Sequence, residues 1–159
     1  MKLRILKLHP NAQVPAYAHA DDACFDLAAA TVAGFSHVGT GIDHGQPVMC
    51  CTGLAFEVPQ GHVMLIFSRS GHGINQGLRL ANCVGVIDPG YTGEVMVKLT
   101  QDMLYDAELD ARWSFVKPGD RIAQALILPV PRVEFEVAEQ LTITERGANG
   151  FGSTGQGAA

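Results

Sequence analysis

The chain has 159 residues, 47% apolar and 17% charged, with a formal net charge of −5. That length and composition exclude a disordered chain and fit one globular domain with a sizeable core. The acidic balance disfavours a general nucleic-acid binder, so a bound phosphate would be met by local arginines, backbone N–H groups or a metal. The opening MKLRILKLHP lacks the apolar stretch of a secretory leader, and no apolar run reaches the length of a membrane span, so a soluble cytoplasmic protein is expected. Cys24, Cys50, Cys51 and Cys83 match no zinc or CxxC spacing and read as buried reduced thiols.

In chain order, Lys2–Leu8 (KLRILKL) largely alternates and reads as a strand. Short β-branched runs predict further strands at Val48–Val58, Val63–Ser68, Gly93–Thr100, Ile122–Val130 and Val133–Val137. Turn chemistry separates them at Pro59-Gln60-Gly61, Asp88-Pro89-Gly90 and Lys117-Pro118-Gly119-Asp120. Many short strands with regular Gly/Pro punctuation predict an all-β barrel or jelly roll. Helix is expected to be minor: Gln101–Ala111 holds good helix formers but lies between two strand candidates and reads as a loop excursion. Thr144–Ala159 is glycine-rich and poor in aliphatic residues, as expected of a mobile arm after a domain spanning 1–143.

Five stretches look unlike strand filler. In DDACFDLAA, Asp26 stands in an apolar patch, where it either caps a turn or holds a metal ion through its waters. In FSRSGHG, Arg69 can fork onto phosphate, Ser70 offers a hydroxyl and Gly71 lets backbone approach an anion; a solvated arginine in a turn fits equally well. In NCVGVIDPGYTGEV, a glycine-bounded arm reaches Asp88 and presents Tyr91. Such a hairpin can offer backbone groups to a flat base while the aspartate takes a proton from water, or it is an ordinary Asp-Pro-Gly turn. In GDRIAQALILPV, Gln124 interrupts an apolar run and needs a partner if buried. The last stretch, RGANGFGSTG, imitates a phosphate loop (Gly147 to Thr154) and a dinucleotide fingerprint (Gly150 to Gly155). Both motifs need a following helix, and only Gln156–Ala159 remain, so neither applies.

Taken in order, these stretches resemble the five motifs of the trimeric dUTPases, most specifically in GVIDPGYTGE, GDRIAQ and RGANGFGSTG. The resemblance implies a jelly-roll-like β-barrel that forms a homotrimer with C-terminal arm exchange, and a Mg²⁺-dependent hydrolysis of dUTP to dUMP and pyrophosphate. It implies Asp88 as the catalytic aspartate. Asn82, Gly85, Val86 and Ile87 would read the uracil edge, Tyr91 would pack beneath the deoxyribose, and Phe151 would stack on the base. Arg69, Ser70, Gly71, Gln124, Arg146, Gly152, Ser153 and Thr154 would bind phosphates, and Asp26 would hold waters of the Mg²⁺. The sequence departs from the family pattern at Cys24, where glycine is usual, at Phe25, and at His72, where leucine is common. The alternatives are dCTP deaminase, which shares the fold, and a nucleotide-responsive regulatory binding protein.

Overall fold

Alternation along β8 (Glu94–Gln101) turns Val95, Val97, Leu99 and Gln101 inward and leaves Met96 and Lys98 exposed, as the two-residue period of a strand requires. In the computed structural model, which describes residues 1–33, 47–102 and 116–150, this strand belongs to a five-stranded antiparallel sheet. Its other members are β1 (Arg4–Lys7), β3 (Thr31–Ala33), β4 (Val48–Glu57) and β6 (Leu78–Leu80), in the order β1-β4-β8-β6, with β3 also on β4. A four-stranded antiparallel sheet carries β2 (Phe25–Ala28), β9 (Arg121–Pro129), β5 (His62–Phe67) and β7 (Val84–Ile87), in the order β2-β9-β5-β7. Leu27, Leu54, Phe56, Met64, Leu78, Leu99 and Ile122 are buried in the common core. The architecture is all-β and jelly-roll-like, as the sequence predicts.

One bulge in β4 shapes the first sheet. β3 pairs with Met49–Cys51 and β1 with Leu54–Glu57, on the same edge of β4, and the register shifts between Cys51 and Ala55. Gly53 sits at the shift with φ +68°, and an added Cβ would lie 2.7 Å from the His9 Cβ. Only glycine takes that conformation in that space without strain. The Gly53 N–H donates to Glu94 Oε1 at 2.7 Å, and the buried Thr52 hydroxyl donates to Val95 O at 2.7 Å. The bulge is thus closed by polar groups that would otherwise be orphaned in the core.

Three sequence expectations need correction. The stretch Val133–Val137 forms no strand: Val133, Phe135 and Val137 are 65%, 91% and 100% exposed. Its alternation suits a half-buried strand, yet among the described residues the last strand ends at Pro129 and no strand pairs with this stretch. A helix, α1 (Ser70–Gln76), stands where a turn is expected. With two glycines and no buried residue it has no apolar stripe to signal it; it closes on Gly77 in the left-handed region. Cysteine burial is also uneven. Burial pushes the Cys50 thiol up to about 12, whereas Cys83 is exposed. Most of the 101–114 stretch lies outside the described residues, as do Phe151, Gly152, Ser153 and Thr154.

Candidate active site

The strand register sorts the candidate residues. Asp26 on β2 pairs with Gln124 on β9, Gln124 with Phe67 on β5, and Phe67 with Val84 on β7, one row across the second sheet. Ser68, Arg69 and Ser70 leave β5 just beyond this row. Asp26, Arg69, Ser70 and Gln124 consequently line one cavity, with Asp22, Cys24 and Arg121.

Asp26 is the hub of that cavity. Its Oδ1 accepts from Arg69 Nε at 3.0 Å and its Oδ2 from Arg121 Nη1 at 2.9 Å. The Asp26 and Arg69 side chains are only 20% and 23% exposed, so this pair is partly desolvated; Arg121 is more open at 55%. Arg69 Nη1 also donates to the Arg121 carbonyl at 3.3 Å. Gln124 Nε2 donates to the Ser68 carbonyl at 2.9 Å, and Ser68 Oγ accepts from Leu80 N at 2.9 Å. The amide that interrupts the apolar run is therefore a satisfied one that ties β9 to the end of β5. Burial and then the Asp22 and Asp26 carboxylates push the Cys24 thiol up, so it stays protonated beside the arginines.

Arg121 is the residue that the sequence does not single out. Three places from Gln124, plain alternation puts it on the opposite face. A bulge intervenes: Leu27 pairs with Ala123 and Ala28 with Arg121, which skips Ile122 and returns Arg121 to the face of Asp26. No periodic pattern in the sequence marks such an extra residue.

A second cavity lies at the hairpin. Asn82, Gly85, Val86 and Ile87 line it with Ile66, Met96 and Lys98. Asn82 precedes β7 in a tight turn, where Val84 N donates to Asn82 O at 2.7 Å across Cys83, a non-glycine residue at φ +64°. Gly85 lets β7 approach β5, since an added Cβ would stand 3.1 Å from the Ile66 Cβ. Beyond β7 the chain turns, with Tyr91 N donating to Asp88 O at 3.0 Å, and Asp88 is exposed. The Tyr91 hydroxyl donates to Glu94 O at 2.7 Å, which lays the ring over Gly93, where an added Cβ would meet Tyr91 Oη at 2.8 Å.

The two cavities share no lining residue. Val84 is level with Gln124, and Asp88 lies four residues further, so about 13 Å along the strands and about 10 Å across two of them separate Asp88 from Gln124. Gly71 is exposed with open space around it, beside the first cavity but not in its lining. Arg146 lines neither; it is exposed, and its Nε donates to Asn149 O at 3.1 Å in a turn. Among the described residues no three His, Cys, Asp or Glu side chains are grouped to hold a metal ion; the carboxylates of the first cavity are Asp22 and Asp26. No helix among them is long and apolar enough to cross a membrane.

The structure thus joins an all-β scaffold, a carboxylate-centred cavity lined by two arginines, and a separate groove along the hairpin. A family model for dUTPase matches residues 10–155. The deoxyuridine 5′-triphosphate nucleotidohydrolase of Nautilia profundicola is 40% identical over 156 residues, covering 98% of this chain and 100% of that one. That of Wolinella succinogenes is 37% identical over 156 residues, covering 98% and 95%. Among solved structures, the Staphylococcus bacteriophage 80alpha dUTPase with dUPNHPP is similar with a TM-score of 0.79 and 26% identity, covering 98% of this chain and 99% of that one. The chain belongs to the dUTPase family.

Proposed function

We propose that this chain hydrolyses dUTP to dUMP and pyrophosphate, with Asp88 as the base that takes a proton from the attacking water. The observation that carries the reading is the family match over residues 10–155, together with the gathering of Asp26, Arg69, Ser70 and Gln124 in one cavity. In this reading water attacks the α-phosphorus and the bond to the bridging oxygen breaks, with pyrophosphate leaving. Such displacement needs positioning and charge neutralisation more than covalent help.

The first cavity would take the phosphates. Arg69 and Arg121 supply fixed positive charge, Ser70 a hydroxyl, Gly71 an unobstructed backbone, and Gln124 its second amide proton. The hairpin would take the nucleoside: Asn82 and the backbone of Gly85, Val86 and Ile87 face the uracil edge, and Tyr91 packs under the deoxyribose. Mg²⁺ fits this donor set, since it favours one or two carboxylates plus triphosphate oxygens. Asp26 would hold it through water, and the ion would supply charge neutralisation on the triphosphate. Arg146 would clamp phosphate, Phe151 would stack on the base, and Gly152, Ser153 and Thr154 would close over the γ-phosphate.

The separation between Asp88 and the arginine cavity supports a homotrimer in which one copy's hairpin faces another's phosphate cavity. The exposed Val133, Phe135 and Val137 support an arm, residues 144–159, that reaches a neighbouring copy. Deamination of dCTP is set aside, because the matched relatives are named as dUTP nucleotidohydrolases. The test is Asp88→Asn. It should keep binding of a non-hydrolysable dUTP analogue and lower kcat by about a hundredfold or more, the scale of a lost general base; near wild-type turnover would sink the mechanism.

A further inference from the structure

His72 stands in the first turn of α1, against Arg69. Its Nε2 lies 3.4 Å from Arg69 Nη1, a long but directed contact. Its Nδ1 is buried with no partner among the described residues. A buried nitrogen without a partner calls for an explanation, and the contact of Nε2 with Arg69 offers one. Arg69 has Nε committed to Asp26 and Nη1 to the Arg121 carbonyl and His72, so Nη2 is the nitrogen left for a ligand. Three protein contacts fix the plane of the guanidinium, and at His72 the accepting atom is an imidazole nitrogen that a proton can take.

We propose that His72 is a positioning residue: as a neutral imidazole it accepts a hydrogen bond from Arg69 and holds the guanidinium in the plane that meets a phosphate oxygen. This rests on the reading of Arg69 as a phosphate ligand. Protonation turns the acceptor into a donor and sets a like charge against Arg69. The charged groups around the imidazole are Arg69 and Arg121, which oppose protonation, and Asp120 and Asp26, which favour it. Burial leads and Arg69 follows, and together they hold the imidazole below its ordinary value of 6.5. The acceptor is therefore fully present above 6.5 and is lost as pH falls through the depressed value.

The experiment compares the full-length wild type with His72→Leu, His72→Gln and Arg69→Ala in steady-state pyrophosphate release from pH 5.5 to 8.5, with thermal melts to check folding. The leucine variant removes the acceptor at similar size; the glutamine variant puts a non-titrating carbonyl near the place of Nε2. His72→Leu should raise KM for dUTP by about threefold to tenfold with kcat within about twofold, the signature of one lost hydrogen bond that binds ground and transition states alike. His72→Gln should restore KM and flatten its rise at acid pH. In an NMR titration of the His72 ring proton, Arg69→Ala should move the midpoint up. Three results each overturn the positioning role: His72→Leu with wild-type KM, His72→Gln no better than leucine, or an unmoved midpoint in Arg69→Ala. Unchanged KM in Arg69→Ala overturns instead the phosphate role of Arg69, and the proposal with it.

Discussion

Asp26→Asn removes one negative charge from between two guanidinium groups with almost no change in volume. Asp26 holds Arg69 at 3.0 Å and Arg121 at 2.9 Å. A charge-assisted hydrogen bond in a partly desolvated pair such as Asp26–Arg69 contributes about 1.5–3 kcal/mol. Arg121 is 55% exposed, so solvent screens its share to about 0.2–1 kcal/mol. The asparagine carbonyl still accepts from one arginine, which returns about 1 kcal/mol. The expected net loss is about 1–3 kcal/mol. For a chain of this size each kcal/mol lowers Tm by about 2–4 °C, so a fall of roughly 2–12 °C is expected. Differential scanning calorimetry at one fixed protein concentration measures it, at low and at high salt, because oligomers melt with concentration. The wild-type advantage should shrink as salt rises. A variant that melts within about 1 °C of wild type at low salt would refute the hub role of Asp26, since a loss of even 1 kcal/mol moves Tm further than that.

Gly53→Ala must adopt φ +68° and put a Cβ 2.7 Å from that of His9 and 2.9 Å from that of Ala12; it should cost about 3 kcal/mol, read by urea denaturation. Gly93→Ala puts a Cβ 2.8 Å from Tyr91 Oη. It should displace the ring from its bond to Glu94 and narrow the ratio of dUTP to UTP turnover, while an unchanged ratio would free Tyr91 of a sugar-reading role. Truncation before Arg146 should leave a folded oligomer by size-exclusion chromatography with little activity; full activity would end the case for a closing arm.

The long strands were legible because their alternation meets one continuous core. Val95, Val97 and Leu99 face it from β8, and Met64 and Ile66 from β5. The three-residue strands β3 and β6 are too short to show a period. Val133–Val137 has a strand's pattern, but pairing depends on an available edge, which sequence does not reveal. The same limit governs the site. Motif order marked Asp26 and Gln124, which pair in one row of register, and Arg69, which follows β5 just beyond that row. It could not reveal Arg121, because a bulge rather than spacing turns that side chain towards Asp26. Nor could it show that both Asp26 oxygens are already held by arginines, or that Asp88 stands apart from the cavity they line. Those depend on how strands pair, not on which residues they carry.

The most direct measurement is pyrophosphate release by the full-length chain from dUTP, UTP and dCTP, with and without Mg²⁺. Rapid release from dUTP alone, strongly dependent on Mg²⁺, is expected. No release from dUTP, or ammonia liberated from dCTP, would contradict the proposed activity.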